Sequence, residues 1–346
     1  MRTLKWSIGL SLLVWAQEPL PIVERRLAEM GRFILEHENT AAKDSVNALF
    51  LALWKTTLQR PEAFTYPFDS VQTVSILTPP DSTFRIFTWQ VIDFATRVHR
   101  YYGLLVRRWR KTKRDTFQYY VYELREIPEV LEEEDIERRT TGPEAWVGAL
   151  YYHPRYTTHG VLRYEGVAYI PRGLRIQKEK LTYYVLLGWN GYNARRNFKV
   201  VETLFFDPDR PEGVFFGAPV IYAGPVPKMR VILEYSETTP LSLNLGWYVR
   251  RYGARKRYPA IIFDHVARSR RFRGVYDDPW PSQGADGTYD AIEFWKRGLF
   301  EGRKGILVYR RNVIPYAPEI ESYDPKVVLR QRLETERKRL RYGLVH

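Results

Sequence analysis

The sequence predicts a mainly β protein with added helix (α+β). Its antiparallel meander sheets pack as a sandwich or propeller-like, with a helical hairpin at the N-terminus and a basic helix at the C-terminus. Three observations carry that prediction. Helical spacing of apolar residues is confined to two stretches near the start, Ile22, Val23, Leu27, Met30, Phe33 and Ile34, then Val46, Leu49, Phe50, Leu53, Trp54 and Leu58. From Ser70 onward the apolar residues come instead in short runs of Val, Ile, Tyr, Phe and Trp separated by turn residues, the pattern of antiparallel strands. Aromatic residues make up 15% of the 346-residue chain and cysteine is absent, so the fold holds by burying large rings on β surfaces and not by disulfides.

The first residues read as a leader. Met-Arg-Thr-Leu-Lys is followed by an apolar run from Trp6 to Ala16, with Val14 and Ala16 at the positions a signal peptidase reads. Eleven residues rise only about 16 Å as a helix, against a hydrocarbon core of about 30 Å, so the run suits a cleaved signal peptide and not an anchor. Cleavage after Ala16 is expected, giving an exported, periplasmic or extracellular protein. Losing residues 1–16, which hold Arg2 and Lys5, leaves 330 residues and lowers the formal charge from +14 to +12.

Residues 17–68 then form the helical hairpin, with Glu38-Asn39-Thr40 at its turn and Pro61 beyond its end. Residues 69–126 form a first β region, one meander with strands expected over 83–92, 101–109 and 117–124. Residues 127–145 are read as a solvated acidic connector or short helix, because residues 123–137 hold eight acids against the single Arg125. Residues 146–312 form a second β region with strands expected over 160–169, 181–189, 197–206, 220–222, 229–235, 241–249 and 260–266. A last hairpin is expected over 289–295 and 305–309, after a turn at Asp286-Gly287. Asn190-Gly191 is the strongest hairpin signal in the chain, since a type I′ turn needs positive φ at both central positions. Residues 313–346 are a basic helical tail in which Asp324 and Pro325 suit a helix start.

Several segments resemble a family of uncharacterised secreted bacterial proteins: FRIFTWQ from Phe84, WVGALYY from Trp146, YYVLLGWNG from Tyr183, FGAPVI from Phe216, VILEYS from Val231, IIFDHV from Ile261 and DGTYDAIEFWKRGLF from Asp286. The resemblance spans most of residues 70–312. It implies export and a β-rich body, and it carries no reaction, cofactor or catalytic residue.

The residues themselves exclude several chemistries. Without cysteine there is no thiolate zinc site and no cysteine nucleophile. Motifs of the phosphate-loop, dinucleotide, zincin, α/β-hydrolase and calcium-loop types are also missing. No cofactor is expected, and no metal site either; His153 and His159, around Pro154, are the nearest approach to one.

Two places carry weak catalytic candidates. Asp264 and His265 end the apolar strand AIIF, where an acid/base pair or a capping Asp beside a packed His both fit. Asp277, Asp278, Asp286 and Asp290 lie near Trp280 and Tyr289, a composition that suits a glycosidase or simply tight turns. Basic residues cluster at 97–114, 250–273 and in the tail, interleaved with aromatics. Arg107, Arg108, Trp109 and Arg110, with Trp280 and Tyr289, are the binding candidates.

The leading expectation is therefore a non-catalytic, envelope-associated binding or structural protein that contacts an anionic glycan or lipid headgroups. The alternative is an extracytoplasmic glycan hydrolase using the 277–290 carboxylates. Nucleic acid is an expected partner only if the leader is retained.

Overall fold

The computed structural model describes residues 18–132, 135–172, 175–193, 195–237, 239–251, 254–268, 283–295 and 305–316. The leader, the tail beyond Tyr316, Asp277, Asp278 and Trp280 lie outside these residues; residues 313–316, read from the sequence as the start of the helical tail, are instead the end of a strand, with Val313 buried in a core cluster.

The helical hairpin is present as α1 (Leu20–Glu36) and α2 (Thr40–Leu58). Pro21 sits in the first turn of α1, where its missing N–H costs nothing. The Asn39 side chain caps α2 by accepting the Ala42 N–H at 3.0 Å. The apolar stripes, Val23, Leu27 and Ile34 with Phe50, Leu53, Trp54 and Leu58, pack on one face of the first sheet. Asn47, the polar residue that interrupts the stripe of α2, accepts from Trp89 Nε1 at 2.8 Å in the buried contact between helix and sheet.

That first sheet opens with a short edge strand the sequence reading did not include, β1 (Ser75–Leu77), and continues as the expected antiparallel meander, β2 (Phe84–Asp93), β3 (Val98–Trp109) and β4 (Gln118–Arg125). Its strands alternate between two cores. Phe87, Trp89, Val91, Leu104 and Val106 face the helices, while Phe84, Ile86, Tyr101 and Leu105 face the other way.

Of the two readings of the connector, solvated linker or short helix, the second is nearer: it runs as three 3₁₀ turns, Pro128–Glu132, Ile136–Arg138 and Pro143–Ala145, with acids such as Glu129 and Asp135 exposed and apolar residues turned inward. Val130, Leu131 and Ile136 are buried in the core between the first and second sheets. Arg230, fully buried, donates to the Ile136 and Arg139 carbonyls at 2.9 Å and to Thr141 Oγ1 at 3.2 Å. Its Nε pairs with the equally buried Glu202 at 3.0 Å. Apolar residues spaced among the acids, and one arginine from far along the chain, hold the segment down.

The second sheet contains β5 (Leu150–Tyr151), β6 (Leu162–Arg172), β7 (Arg175–Asn190), β8 (Arg196–Phe206), β9 (Val214–Phe216) and, after the short β10 (Ile221–Tyr222) and β11 (Pro227–Lys228), β12 (Val231–Ser236). β7 and β8 pair antiparallel as expected, but not through a two-residue type I′ turn. Asn190 pairs with Phe198, Gly191 is not among the positive-φ glycines, and Asn190 Oδ1 instead accepts the Tyr192 N–H at 2.7 Å. The asparagine's local hydrogen bond starts a longer loop.

The third sheet joins β10 and β11 to β13 (Leu243–Val249), β14 (Tyr258–Arg268), β15 (Gln283–Trp295) and β16 (Ile306–Tyr316). β16 pairs with β15 and also, through Ile314–Tyr316, with β13, so four strands close into a ring around Tyr248, Ala260, Ala291 and Val313. Asp286-Gly287, expected as a turn ahead of the last hairpin, lies within β15. Gly287 has φ 87° there and the pairing with β14 shifts register.

The layers follow from the alternation. Tyr184, Leu186, Phe198, Val200 and Leu204 of the second sheet pack on the first sheet, whereas Tyr183, Val185, Leu187, Val201 and Phe205 pack on Ile261, Phe263, Ile292 and Leu307 of the third. The order is helices, first sheet, second sheet, third sheet. Among the described residues no helix is long and apolar enough to cross a membrane.

Candidate functional site

Strand β6 presents alternate residues to opposite sides, and each side borders a cleft. Leu162 and Tyr164 face a groove of about 740 Å³ between β6 and the ring strands β13, β14 and β15. Arg163 faces a second cleft of about 810 Å³ between the first and second sheets.

The groove is walled by rings. Tyr156 packs against Trp247 at 5.1 Å between centroids, and Tyr164 stacks on Phe294 at 4.2 Å. Tyr258 and Trp295 complete the wall. Gly246 and Ala260, opposite each other on β13 and β14, also line it. Cations gather at the same place: Arg250 lies over the Tyr258 ring at 4.4 Å and Lys256 at 5.1 Å. Glu293 is the only carboxylate among the lining residues. It is buried and occupied, accepting from the Tyr248 hydroxyl at 2.8 Å and from Arg310 Nε at 3.3 Å, with Arg250 at 3.9 Å. Burial, then the hydrogen bond to this carboxylate, pushes Tyr248 up to about 12. The groove thus offers flat apolar faces and two cations, Arg250 with a long ion pair to Glu293 and Lys256 with no ion pair among the described residues.

The second cleft is filled by internal pairing. Asp81 Oδ2 receives Arg163 Nε at 2.7 Å and the Tyr184 hydroxyl at 2.8 Å. Burial alone would raise the Asp81 carboxyl, but hydrogen bonds from Tyr184, Thr83 and Arg163 hold it below its ordinary value.

The structure separates the basic residues named from the sequence. Arg107 is buried and donates to the carbonyls of Asp207, Arg210, Pro211 and Gly213, clamping that loop, while its guanidinium lies over Phe206 at 4.8 Å. Trp109 Nε1 donates to the Pro208 carbonyl at 3.0 Å, and Arg108 donates to the Asp81 carbonyl at 3.2 Å. Arg110 is exposed beside Phe117. Arg100, from the same cluster, pairs with Asp44 at 2.6 Å. Much of the first basic cluster therefore serves the fold.

The acidic candidates divide as well. Asp264 Oδ2 accepts the Ser242 N–H at 2.6 Å, a strand-edge clamp, and does not orient its neighbour His265. Asp290 does: its buried Oδ2 lies 2.8 Å from His265 Nδ1 and accepts the Tyr309 hydroxyl at 2.6 Å, while Oδ1 accepts the Asn312 N–H at 3.0 Å. Asp286 is exposed and occupied locally. The Thr288 hydroxyl donates to it at 2.7 Å and lowers its pKa. Tyr289 packs inside the ring with Tyr248 and Ala260. Both carboxylates are thus held by donors of the fold, Asp286 by Thr288 and Asp290 by His265, Tyr309 and Asn312, and neither is the free acid or base of a glycosidase pair. The pairing of His265 with Asp290 joins residues 25 apart through strand register, which no local motif reports.

One further group is strongly perturbed. Burial raises the Glu126 carboxyl to about 7, against hydrogen bonds from the Tyr101 N–H, at 2.5 Å, and from Asn190. It sits where the first sheet meets the second, away from the groove, and Gly148 leaves room for it, since a Cβ there would lie 2.5 Å from Glu126 Oε1. Among the described residues no group of three or more His, Asp or Glu side chains could hold a metal ion. Comparisons with models of protein families, with curated proteins and with solved structures find no match for this chain.

Proposed function

We propose that the protein binds an acidic glycan in the groove between β6 and the ring, and that the groove performs no chemistry on it. The observation that carries this reading is the juxtaposition of Tyr156, Tyr164, Trp247 and Tyr258 with Arg250 and Lys256 around a recess of about 740 Å³. Sugar rings stack on aromatic faces, and a carboxylate or sulfate on the sugar meets the cations. Glycosidic cleavage needs two available carboxylates, and the single one in the groove is already bonded to Tyr248 and Arg310.

The basic clusters and the leader support placing this binding at the cell envelope. We read the chain as exported, cut after Ala16, and akin to the secreted β-rich proteins its strand motifs resemble. The stacked sheets are read as sandwich packing and the tail as a basic helix. A recessed aromatic groove suits a glycan better than a lipid surface, which a flat basic face would meet.

The test is calorimetric titration at low salt with an oligogalacturonate and with its methyl-esterified counterpart. The acidic ligand is expected to bind at least tenfold more tightly, with affinity falling as salt rises. Equal affinity for the two would overturn the charge assignment, and binding only to anionic vesicles would favour lipid headgroups.

A further inference from the structure

Three irregularities of the third sheet meet at one carboxylate. β14 loses register with β15 between Asp264 and Val266, which releases His265 from the ladder. β15 loses register with β16 between Tyr289 and Ala291, and Asn312 on β16 takes a left-handed φ of 53°. Bulges re-aim side chains, and left-handed backbone at a residue other than glycine persists only where its surroundings hold it. Here the holder is Asp290, whose Oδ1 accepts the Asn312 N–H at 3.0 Å.

The other oxygen of Asp290 serves His265 and Tyr309. The carboxylate side chain is 0% exposed, while the His265 side chain is 32% exposed. Burial, together with its hydrogen bond to Asp290, raises the pKa of Tyr309, so the phenol stays a donor. An acceptor on Nδ1 favours the tautomer that carries its proton there, leaving the lone pair on Nε2. Nε2 has no hydrogen-bond partner among the described residues.

We propose that His265, oriented by Asp290, is a general base that hydrolyses carboxylic esters. This site lies apart from the groove, so the inference does not depend on the glycan reading. Nε2 takes a proton from a water molecule as the water oxygen bonds to the acyl carbon. The carbon–oxygen bond to the alcohol then breaks, and Nε2–H returns the proton to the leaving alkoxide. Water is the only co-reactant, the products are a carboxylic acid and an alcohol, and the imidazole is regenerated. Esters fit better than glycosides, which need two free carboxylates, and better than phosphate esters, whose charge Asp286 and Asp290 would repel. His265 is the catalytic residue; Asp290 is a positioning residue.

The experiment measures hydrolysis of p-nitrophenyl acetate and of an acetylated oligosaccharide by the full chain. Wild type is expected to exceed an equal concentration of free imidazole, and His265→Ala to lower the rate about 100-fold, with His153→Ala unchanged. Wild-type activity no greater than imidazole, or a His265→Ala variant as active as wild type, would overturn the proposal. Asp290→Asn is expected to lower the rate by a similar factor and to move the midpoint of the pH–rate profile, in a setting where Asp264, Asp286, Tyr309, Arg311 and Glu137 are the surrounding titratable groups. An unmoved midpoint would remove the positioning role. If Asp290→Asn does not fold, the ring nitrogen shifts of His265 decide the same point: a proton on Nδ1 supports it, and a proton on Nε2 overturns it.

Discussion

Glu202 and Asp290 are both carboxylates with no solvent exposure, and they differ in who answers them. Glu202 is met by Arg230, whose remaining donors go to Ile136, Arg139 and Thr141, so the cluster is closed and fixes the connector. Asp290 is met by a partly exposed imidazole, a phenol and one backbone N–H, so the cluster opens outward through His265. A buried charge that is fully paired serves the fold; one paired to a group with a free nitrogen at the surface offers that nitrogen to something else.

The comparison breaks most visibly at the closed cluster. Arg230→Met leaves Glu202 unpaired and frees the connector, and a loss of about 3–5 kcal/mol is expected in denaturant unfolding. A loss below about 1 kcal/mol would mean that the pair does not hold the connector.

Glu126 gives the next effect. Its folded pKa is raised to about 7 from an ordinary value of 4.5, so the folded state favours the neutral acid. Its favourable contribution is present below about 4.5 and is lost as pH rises through about 7. The loss amounts to about 3 kcal/mol. Glu126→Gln is expected to remove that part of the pH dependence, read from unfolding midpoints between pH 4.5 and 8. A variant with the wild-type slope would contradict it.

Asn47→Ala tests the closed contact between helix and sheet on a smaller scale. It strands the Trp89 Nε1–H, and about 1–3 kcal/mol should be lost. The smallest effect is expected at the open cluster: His265→Ala should change stability by less than about 1 kcal/mol, because the ring is partly exposed and Asp290 keeps two donors. A larger loss would make His265 a structural residue like Arg230.

The sequence was most legible where periodicity and local chemistry agree. Residues 22–58 alternate at helical spacing around a capping Asn39, and the structure has α1 and α2 there. The strands of the first meander are equally plain, since each carries its own alternation. The connector misled because eight acids outweigh Val130, Leu131 and Ile136 in any count of charge, although those three residues decide its burial. Asn190-Gly191 misled because Asn190 bonds its own backbone two residues on.

The candidate site was legible only in pieces. Tyr258 and the cluster from Arg250 were visible as basic and aromatic, and His265 as a polar residue at a strand end. Their true partners, Trp247 and Tyr164 for one and Asp290 for the other, arrive through strand register and sheet stacking. Arg107 shows the converse. It looked like part of a binding face, and the structure buries it on four carbonyls.

If the groove beside β6 binds an acidic glycan, as proposed, Trp247 is its most direct probe. Trp247→Ala keeps Arg250 and Lys256 in place and removes the ring that Tyr156 packs against. In calorimetric titration with an oligogalacturonate the account predicts at least a tenfold loss of affinity with the unfolding midpoint within a few degrees of wild type. Undiminished affinity in a folded Trp247→Ala protein would contradict it.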